Sequence, residues 1–161
     1  MDEAVRGAQA RWPGVPDVYG WLALDRRGRW LLRNPAREAF EPIGNAALRD
    51  FIARNYASDA QGRWFFQNGP QRVFVRLSYT PFVVRTQDGG LVDQCGRNFL
   101  VRSALLDEEG SLLLVADRLA LLDDRDLFAY VDTLGHAVET LPRIGRSEVA
   151  SRFGFIADPS P

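Results

Sequence analysis

Apolar and polar positions along the chain fall into short alternating runs separated by turn chemistry, with a few stretches of helical period. Val18 to Leu32 alternates, breaks at Asp25-Arg26-Arg27-Gly28 and returns as Trp30-Leu31-Leu32, which predicts a hairpin. The stretch from Gly62 to Arg85 predicts the central hairpin. Trp64-Phe65-Phe66 runs into Gln67-Asn68-Gly69-Pro70, where Asn and Gly accept positive φ and Pro fixes the exit. Val73, Val75 and Leu77 then alternate with Arg72, Phe74, Arg76 and Ser78, predicting one buried and one partly exposed face. Thr80-Pro81 interrupts the ladder before Phe82-Val83-Val84, because proline has no N–H to give. Asp88-Gly89-Gly90 turns into Leu91 to Asp93, and a polar loop follows to Asn98. A third hairpin spans Val101 to Ala116 around Asp107-Glu108-Glu109-Gly110.

Two helices are legible between these hairpins. Asn45 is a strong N-cap, and Leu48, Phe51, Ile52 and Tyr56 make one apolar stripe that must pack on a sheet. Asp123 or Asp124 caps a second helix carrying Leu127, Phe128, Tyr130, Val131 and Leu134, closed by Gly135. Ser147 to Phe153 forms a short terminal helix with Gly154 as its stop, after a connector from Leu141 to Gly145. Asn34 to Pro42, with two prolines, reads as a loop. The fold class is α+β, a mostly antiparallel sheet of hairpins with two or three packed helices. Its organisation is an N-terminal arm at 1–17 with a helix-compatible Glu3 to Arg11, one domain at 18–156, and a frayed tail at 157–161. Trp12 is a candidate to tuck against the body, and Trp21, Trp30 and Trp64 pack in the core or line a groove.

The first and third hairpins align at a constant offset: Leu24-Asp25-Arg26-Arg27-Gly28 matches Leu106-Asp107-Glu108-Glu109-Gly110, and each precedes a capped helix. This predicts two related repeats, 18–57 and 101–135, flanking the central hairpins 62–94 around a continuous sheet.

Composition narrows the function classes. At 161 residues, with 46% apolar and 25% charged residues, the chain is an ordinary soluble domain in its make-up. All 20 basic residues are arginine, and the net charge of −1 is spread out, so the concentrated positive field that nucleic acid requires is missing. No apolar run is long enough to span a bilayer, and residues 1–12 lack the pattern of a signal peptide, so a cytoplasmic protein without a membrane partner is expected. The single cysteine excludes an internal disulfide and a multi-cysteine zinc site. With one histidine, and no calcium-loop or phosphate-loop spacing, no metal or cofactor is expected.

The candidate ligand-binding residues are Trp64, Gln67, Asn68 and Arg72 around the central turn, with Asp93 and Arg97 from the following loop. Amides and a forked guanidinium beside an aromatic wall suit a small anionic or planar ligand; the same residues also make and solvate a turn. Cys95, His136 and Asp93 are the only reacting groups available to a hydrolase or transferase, and no nucleophile motif surrounds them. The acidic group Asp117, Asp123, Asp124 and Asp126 reads as helix capping. A third reading is a homo-oligomeric structural protein pairing through an open strand edge such as Phe82 to Thr86.

Gly28-Arg29-Trp30, then Pro42-Ile43-Gly44-Asn45-Ala46-Ala47-Leu48, then Trp64-Phe65-Phe66 and Val73-Phe74-Val75 with Pro81-Phe82-Val83, resemble an uncharacterised proteobacterial family. Its pattern runs D-x-x-G-x-W, a P-I-x-x-x-x-L helix start, an aromatic strand, and an alternating strand ending near A-P-F. Ser78-Tyr79-Thr80 departs from the acidic or small residues that the family has before the proline. The resemblance implies small α+β proteins of repeated motifs with a role in binding or signalling, and no catalytic residues. The expected function is therefore a binding or regulatory module for a small molecule or protein partner, without catalysis.

Overall fold

A computed structural model describes Met1–Pro161. The chain divides into two compact units, one made of Met1–Asp25, Arg29–Ser78 and Gly154–Pro161, the other of Arg26–Gly28 and Tyr79–Phe153. Each is built on its own six-stranded, mostly antiparallel sheet, so the architecture is α+β. The continuous sheet that the hairpin pattern suggests is split in two, because β6 and β7, on either side of Ser78-Tyr79-Thr80-Pro81, enter different sheets.

The first unit contains α1 (Glu3–Arg11), β1 (Val18–Leu24), β2 (Trp30–Asn34), β3 (Ala39–Pro42), α2 (Ala46–Arg54), β4 (Tyr56–Ser58), β5 (Trp64–Asn68) and β6 (Gln71–Leu77). Its sheet order is β3-β2-β1-β6-β5-β4, antiparallel except for the β1/β6 pair. The segment read as a loop at 34–42 ends in β3, where Pro42 sits on an edge strand and its missing N–H breaks no ladder. β6 lies inside the sheet, and Phe74 is as buried as Val75 because Tyr19 stacks on its ring at 4.7 Å and Arg63 covers it. The face of Arg72, Phe74, Arg76 and Ser78 is partly exposed as expected, with Phe74 its covered position. Asn45 caps α2 as expected, accepting the Leu48 N–H at 3.0 Å. The helix stops at Arg54, however, and Tyr56 opens β4, because buried Asn55 accepts the Gln67 N–H on its carbonyl and ties the chain to β5. Phe51 meets Phe66 edge-on at 5.4 Å, Ile52 is buried, and Leu48 stays partly exposed.

Both termini belong to this unit. In α1 Val5 is buried, and the Asp2 N–H donates to the Asn55 side chain at 2.7 Å. At the other end, where the sequence predicts fraying, Ala157 accepts the Leu77 N–H at 2.7 Å and Pro159 is buried. Of the tryptophans, Trp30 is in the core, Trp64 is half-buried, and Trp12 and Trp21 are exposed.

The second unit contains β7 (Phe82–Gln87), β8 (Gly90–Asp93), β9 (Ser103–Asp107), β10 (Leu112–Val115), β11 (Leu119–Leu122), α3 (Leu127–Leu134), β12 (Arg143–Ile144) and α4 (Arg146–Phe153). Its sheet order is β12-β9-β10-β11-β7-β8. β11 runs parallel to β7, and all four of its residues are buried, as expected of a strand covered on both faces. Phe82 to Thr86, proposed as an open edge, lies inside the sheet between β11 and β8. The two sheets are related: β4-β5-β6 followed by parallel β1 and antiparallel β2 corresponds to β9-β10-β11 followed by parallel β7 and antiparallel β8. By this correspondence in strand order the Asp107 turn is the counterpart of the Asp59 turn. Its likeness to the Asp25 turn is one of local chemistry.

That chemistry occurs four times, at Asp25, Asp59, Asp93 and Asp107, each followed by glycine three residues later. In each the aspartate N–H donates to the carbonyl of the fifth residue, and that residue's N–H returns to Oδ1. In three of the four the fifth residue is arginine, whose Nε donates to Oδ2 of the same aspartate. The fourth glycine is left-handed in every case, with φ between 74° and 82°. Burial opposes ionisation of Asp107. The Ser111 N–H, the Tyr79 hydroxyl, the Ser111 hydroxyl and the Glu109 N–H outweigh it and hold the carboxyl below its ordinary range. Asp59 is likewise depressed against its burial by Arg63 and the Gln61 N–H, and Asp123 by Arg125.

Two outcomes follow from the turns. A Cβ at Gly62 would overlap the carbonyl oxygen of Gly154, and Gly62 is also left-handed, so Gly62→Ala should cost about 3 kcal/mol or more in urea unfolding. Gly89→Ala, equally left-handed but facing open space, should cost only about 1–2 kcal/mol. Equal losses would refute the close-approach argument. Folded-state pKa values of Asp59, Asp107 and Asp123 lie below the unfolded value of about 3.9, so their stabilisation is whole above that pH and is lost as pH falls through the depressed values. Unfolding free energy measured from pH 6 to pH 2 should drop mainly below about pH 4. The drop should be shallower in Asp107→Asn; an unchanged slope would remove Asp107 from the account.

Candidate functional site

In the second unit the Asp107 turn is the centre of a polar cluster built on four segments. Tyr79, just before β7, donates its hydroxyl to Oδ2 of Asp107 at 2.8 Å, the position that arginine fills in the other three turns. Burial, then this hydrogen bond, keeps the phenol protonated well beyond its ordinary range. Two guanidinium groups lie against the Tyr79 ring, that of Arg26 at 4.9 Å and that of Arg146 at 5.0 Å from its centre. Arg146 stands at the start of α4 and pairs with Glu109, while its N–H donates to Glu108 at 2.7 Å. Arg26 donates Nη2 to the Ser111 hydroxyl at 2.8 Å.

Beside this cluster is a cavity of about 340 Å³. Its polar wall is Arg26, Arg27, Glu109, Ser111 and Asp124, and its apolar wall is Leu112, Leu121, Leu122 and Leu127. Arg27 faces Asp124 at 3.4 Å. The Arg26 Nη1 is sealed from solvent and has no acceptor; Trp30 Nε1, Gln67 Oε1 and Arg118 Nε are likewise unmet, but of the four only Arg26 lines the cavity. β10 and β11 supply three of the leucines because antiparallel pairing brings the start of β10, after the Asp107 turn, and the end of β11 to the same end of the sheet, and the Asp124–Asp126 3-10 turn carries the chain into α3. Asp123, not Asp124, caps that turn through the Arg125 N–H.

The residues singled out in the sequence are distributed differently. Trp64, Gln67, Asn68 and Arg72 belong to the first unit, and Asp93 and Arg97 to the second. Trp64 packs on Tyr56 at 4.8 Å, and Gln67 is fully buried with its amide N–H on the Gly69 carbonyl. Asn68 is exposed beside the turn, and Arg72 lies over the Phe65 ring at 4.9 Å. Asp93 is consumed by its own turn and by Arg118 at 3.1 Å, and Arg97 serves that turn while covering Phe82. The cavity residues Arg26 and Ser111 escaped notice because each looks like an ordinary exposed turn position. The signal that was available is serine at the fifth place of the Asp107 turn, where the Asp25, Asp59 and Asp93 turns have arginine.

The thiol and the imidazole singled out in the sequence sit in contrasting surroundings. The Cys95 thiol is pushed up to about 12 by burial and then by the Asp93 charge, away from the thiolate that attacks. His136 stands fully exposed on the 3-10 segment Gly135–Thr140, 3.9 Å from Glu139. No group of three or more His, Cys, Asp or Glu side chains has the arrangement to hold a metal ion. No helix is long and apolar enough to cross a membrane.

Residues 1–160 match the model of a family described as "Protein of unknown function (DUF2946)". No curated protein matches the chain. Among solved structures, a DUF1285 family protein from Silicibacter pomeroyi DSS-3 is similar at 15% identity, with 82% of this chain and 84% of that chain covered and a TM-score of 0.52. A DUF1285 family protein from Shewanella baltica OS155 is matched at 12% identity over 71% of this chain and 92% of that one, with a TM-score of 0.44. The likeness to the first is one of fold, and it agrees with the uncharacterised proteobacterial family that the sequence resembles.

The raised thiol pKa gives a direct expectation. Iodoacetamide at pH 8 should alkylate Cys95 at least about a hundredfold more slowly in the native protein than in urea, since only the thiolate reacts. Comparable rates, followed by mass spectrometry, would show a free and activated thiol instead.

Proposed function

The chain belongs to this family of unknown function, and we propose that it serves as a cytoplasmic, non-catalytic binding module that takes a small ligand in the cavity of its second unit. The observation that carries this reading is Arg26. The residue lines a cavity of ligand size and leaves its buried Nη1 without an acceptor beside an apolar wall. A pocket with a leucine floor and a few convergent donors suits recognition. Tyr79 and Asp107 hold Ser111 and Arg26 in place without offering a nucleophile or a base of matched pKa. A regulatory role fits the exposed helix α3, whose first residue, Leu127, lines the cavity and whose Phe128 is 85% exposed.

That same helix supports a second reading, a protein partner. Phe128 is exposed and Leu127, Tyr130, Val131 and Leu134 are half-buried around it, an apolar stripe that suits an interaction face.

Thermal-shift screening of the full chain against small metabolites tests the first reading, because a ligand of the native state raises the melting temperature by mass action. A shift lost in Arg26→Gln and kept in Arg72→Ala is the expected result. A shift lost in Arg72→Ala and kept in Arg26→Gln would move the site to the central hairpin, and no shift with any compound would favour the partner on α3.

A further inference from the structure

The geometry points to a small monocarboxylate with a short apolar body as the ligand of this cavity, an inference that rests on the reading above. Charge is the first argument. Around the cavity Arg27 is balanced by Asp124, and Arg146 by Glu109. Arg26 has no carboxylate within ion-pair distance; its contacts are the Ser111 hydroxyl and the Tyr79 ring. Asp107 faces Arg26 only through Ser111 and Tyr79, so the guanidinium has no direct ion-pair partner and can take one negative charge.

The form of that charge follows from the donors and their surroundings. A guanidinium presents parallel N–H groups that match the two oxygens of a carboxylate. The unpartnered Nη1 and the Ser111-bound Nη2 belong to the same fork. The Arg26 guanidinium is held by one neutral hydrogen bond and one ring face, and an entering acceptor would reach Nη1 by a turn of that side chain. Phosphate carries more than one charge at neutral pH, while Arg26 is the one guanidinium on this wall without a carboxylate partner, so a single negative charge matches it better. The remaining wall is leucine, from the ends of β10 and β11 and the start of α3, and it offers a polar ligand nothing. A cavity of about 340 Å³ is at the small end of ligand pockets, enough for a carboxylate on a ring or a short chain.

Calorimetry and amide NMR on the full chain, with benzoate, butyrate, neutral benzamide and inorganic phosphate as probes, test this. Benzoate or butyrate should bind and shift the amides of Gly110, Ser111 and Leu112, at least about tenfold more tightly than benzamide or phosphate, as loss of a charged hydrogen bond demands. Arg26→Gln should lower benzoate affinity to that of benzamide. If that variant unfolds, Arg26→Lys and Ser111→Ala should each weaken benzoate selectively. Benzamide or phosphate binding at these same amides as tightly as benzoate would overturn the carboxylate and leave the cavity standing. Failure of every probe at millimolar concentration, or shifts confined to other residues, would overturn the cavity with it.

Discussion

A buried carboxylate must replace the water it loses, and in this protein the replacement comes from the turn that contains it. Each Asp-x-x-Gly turn gives its aspartate N–H groups of its own backbone, and at Asp25, Asp59 and Asp93 the guanidinium of the fifth residue as well. Donors to a charged acceptor are each worth about 1.5–3 kcal/mol, enough to make so polar a device compatible with burial. The turns set the entry and exit of strands β1/β2, β4/β5 and β9/β10, and so fix the registers on which both sheets depend. They also place glycine at one position, where a side chain would be strained and, at Gly62, would strike Gly154.

The candidate site is a variation on that device. At Asp107 serine replaces the arginine, and the outer carboxylate oxygen turns to Tyr79 instead. With the self-contained ion pair gone, the Ser111 hydroxyl is free to accept from Arg26, and the Tyr79 ring becomes a surface for two guanidinium groups. Chemistry that closes the turn on itself elsewhere is here turned toward Arg26 and the cavity wall. The same comparison explains Asp93 and Arg97: they complete the ordinary form of the turn, with Arg118 added, and their polar appearance in the sequence comes from a structural duty.

Much of the fold was legible because it rests on local rules. The hairpins at Asp25 and Asp107, the Asn45 cap, the helices at α1, α3 and α4 and the α+β class all follow from periodicity and turn chemistry within a few residues. The errors were non-local. Tyr56 fits the helical stripe of α2, and only the pull of Gln67 on the Asn55 carbonyl sends it into β4. Phe82 to Thr86 looks like an edge until β11 comes alongside it in parallel, a pairing between segments more than thirty residues apart.

By itself the sequence determined most hairpins and helices, the likeness of the Asp25 and Asp107 turns, and the family to which the chain belongs, since these are written in short motifs read in order. What the tertiary structure decided is partition and exposure: that the hairpins build two sheets, that Phe74 is covered, that Gln67 is buried, and that Arg26 keeps an N–H unmet. Spacing along a chain records which residues can share a face, while burial and hydrogen-bond satisfaction depend on what arrives from elsewhere. An arginine in a turn is ordinary in sequence, and it becomes a candidate binding group only when the surrounding chain closes over it without supplying an acceptor.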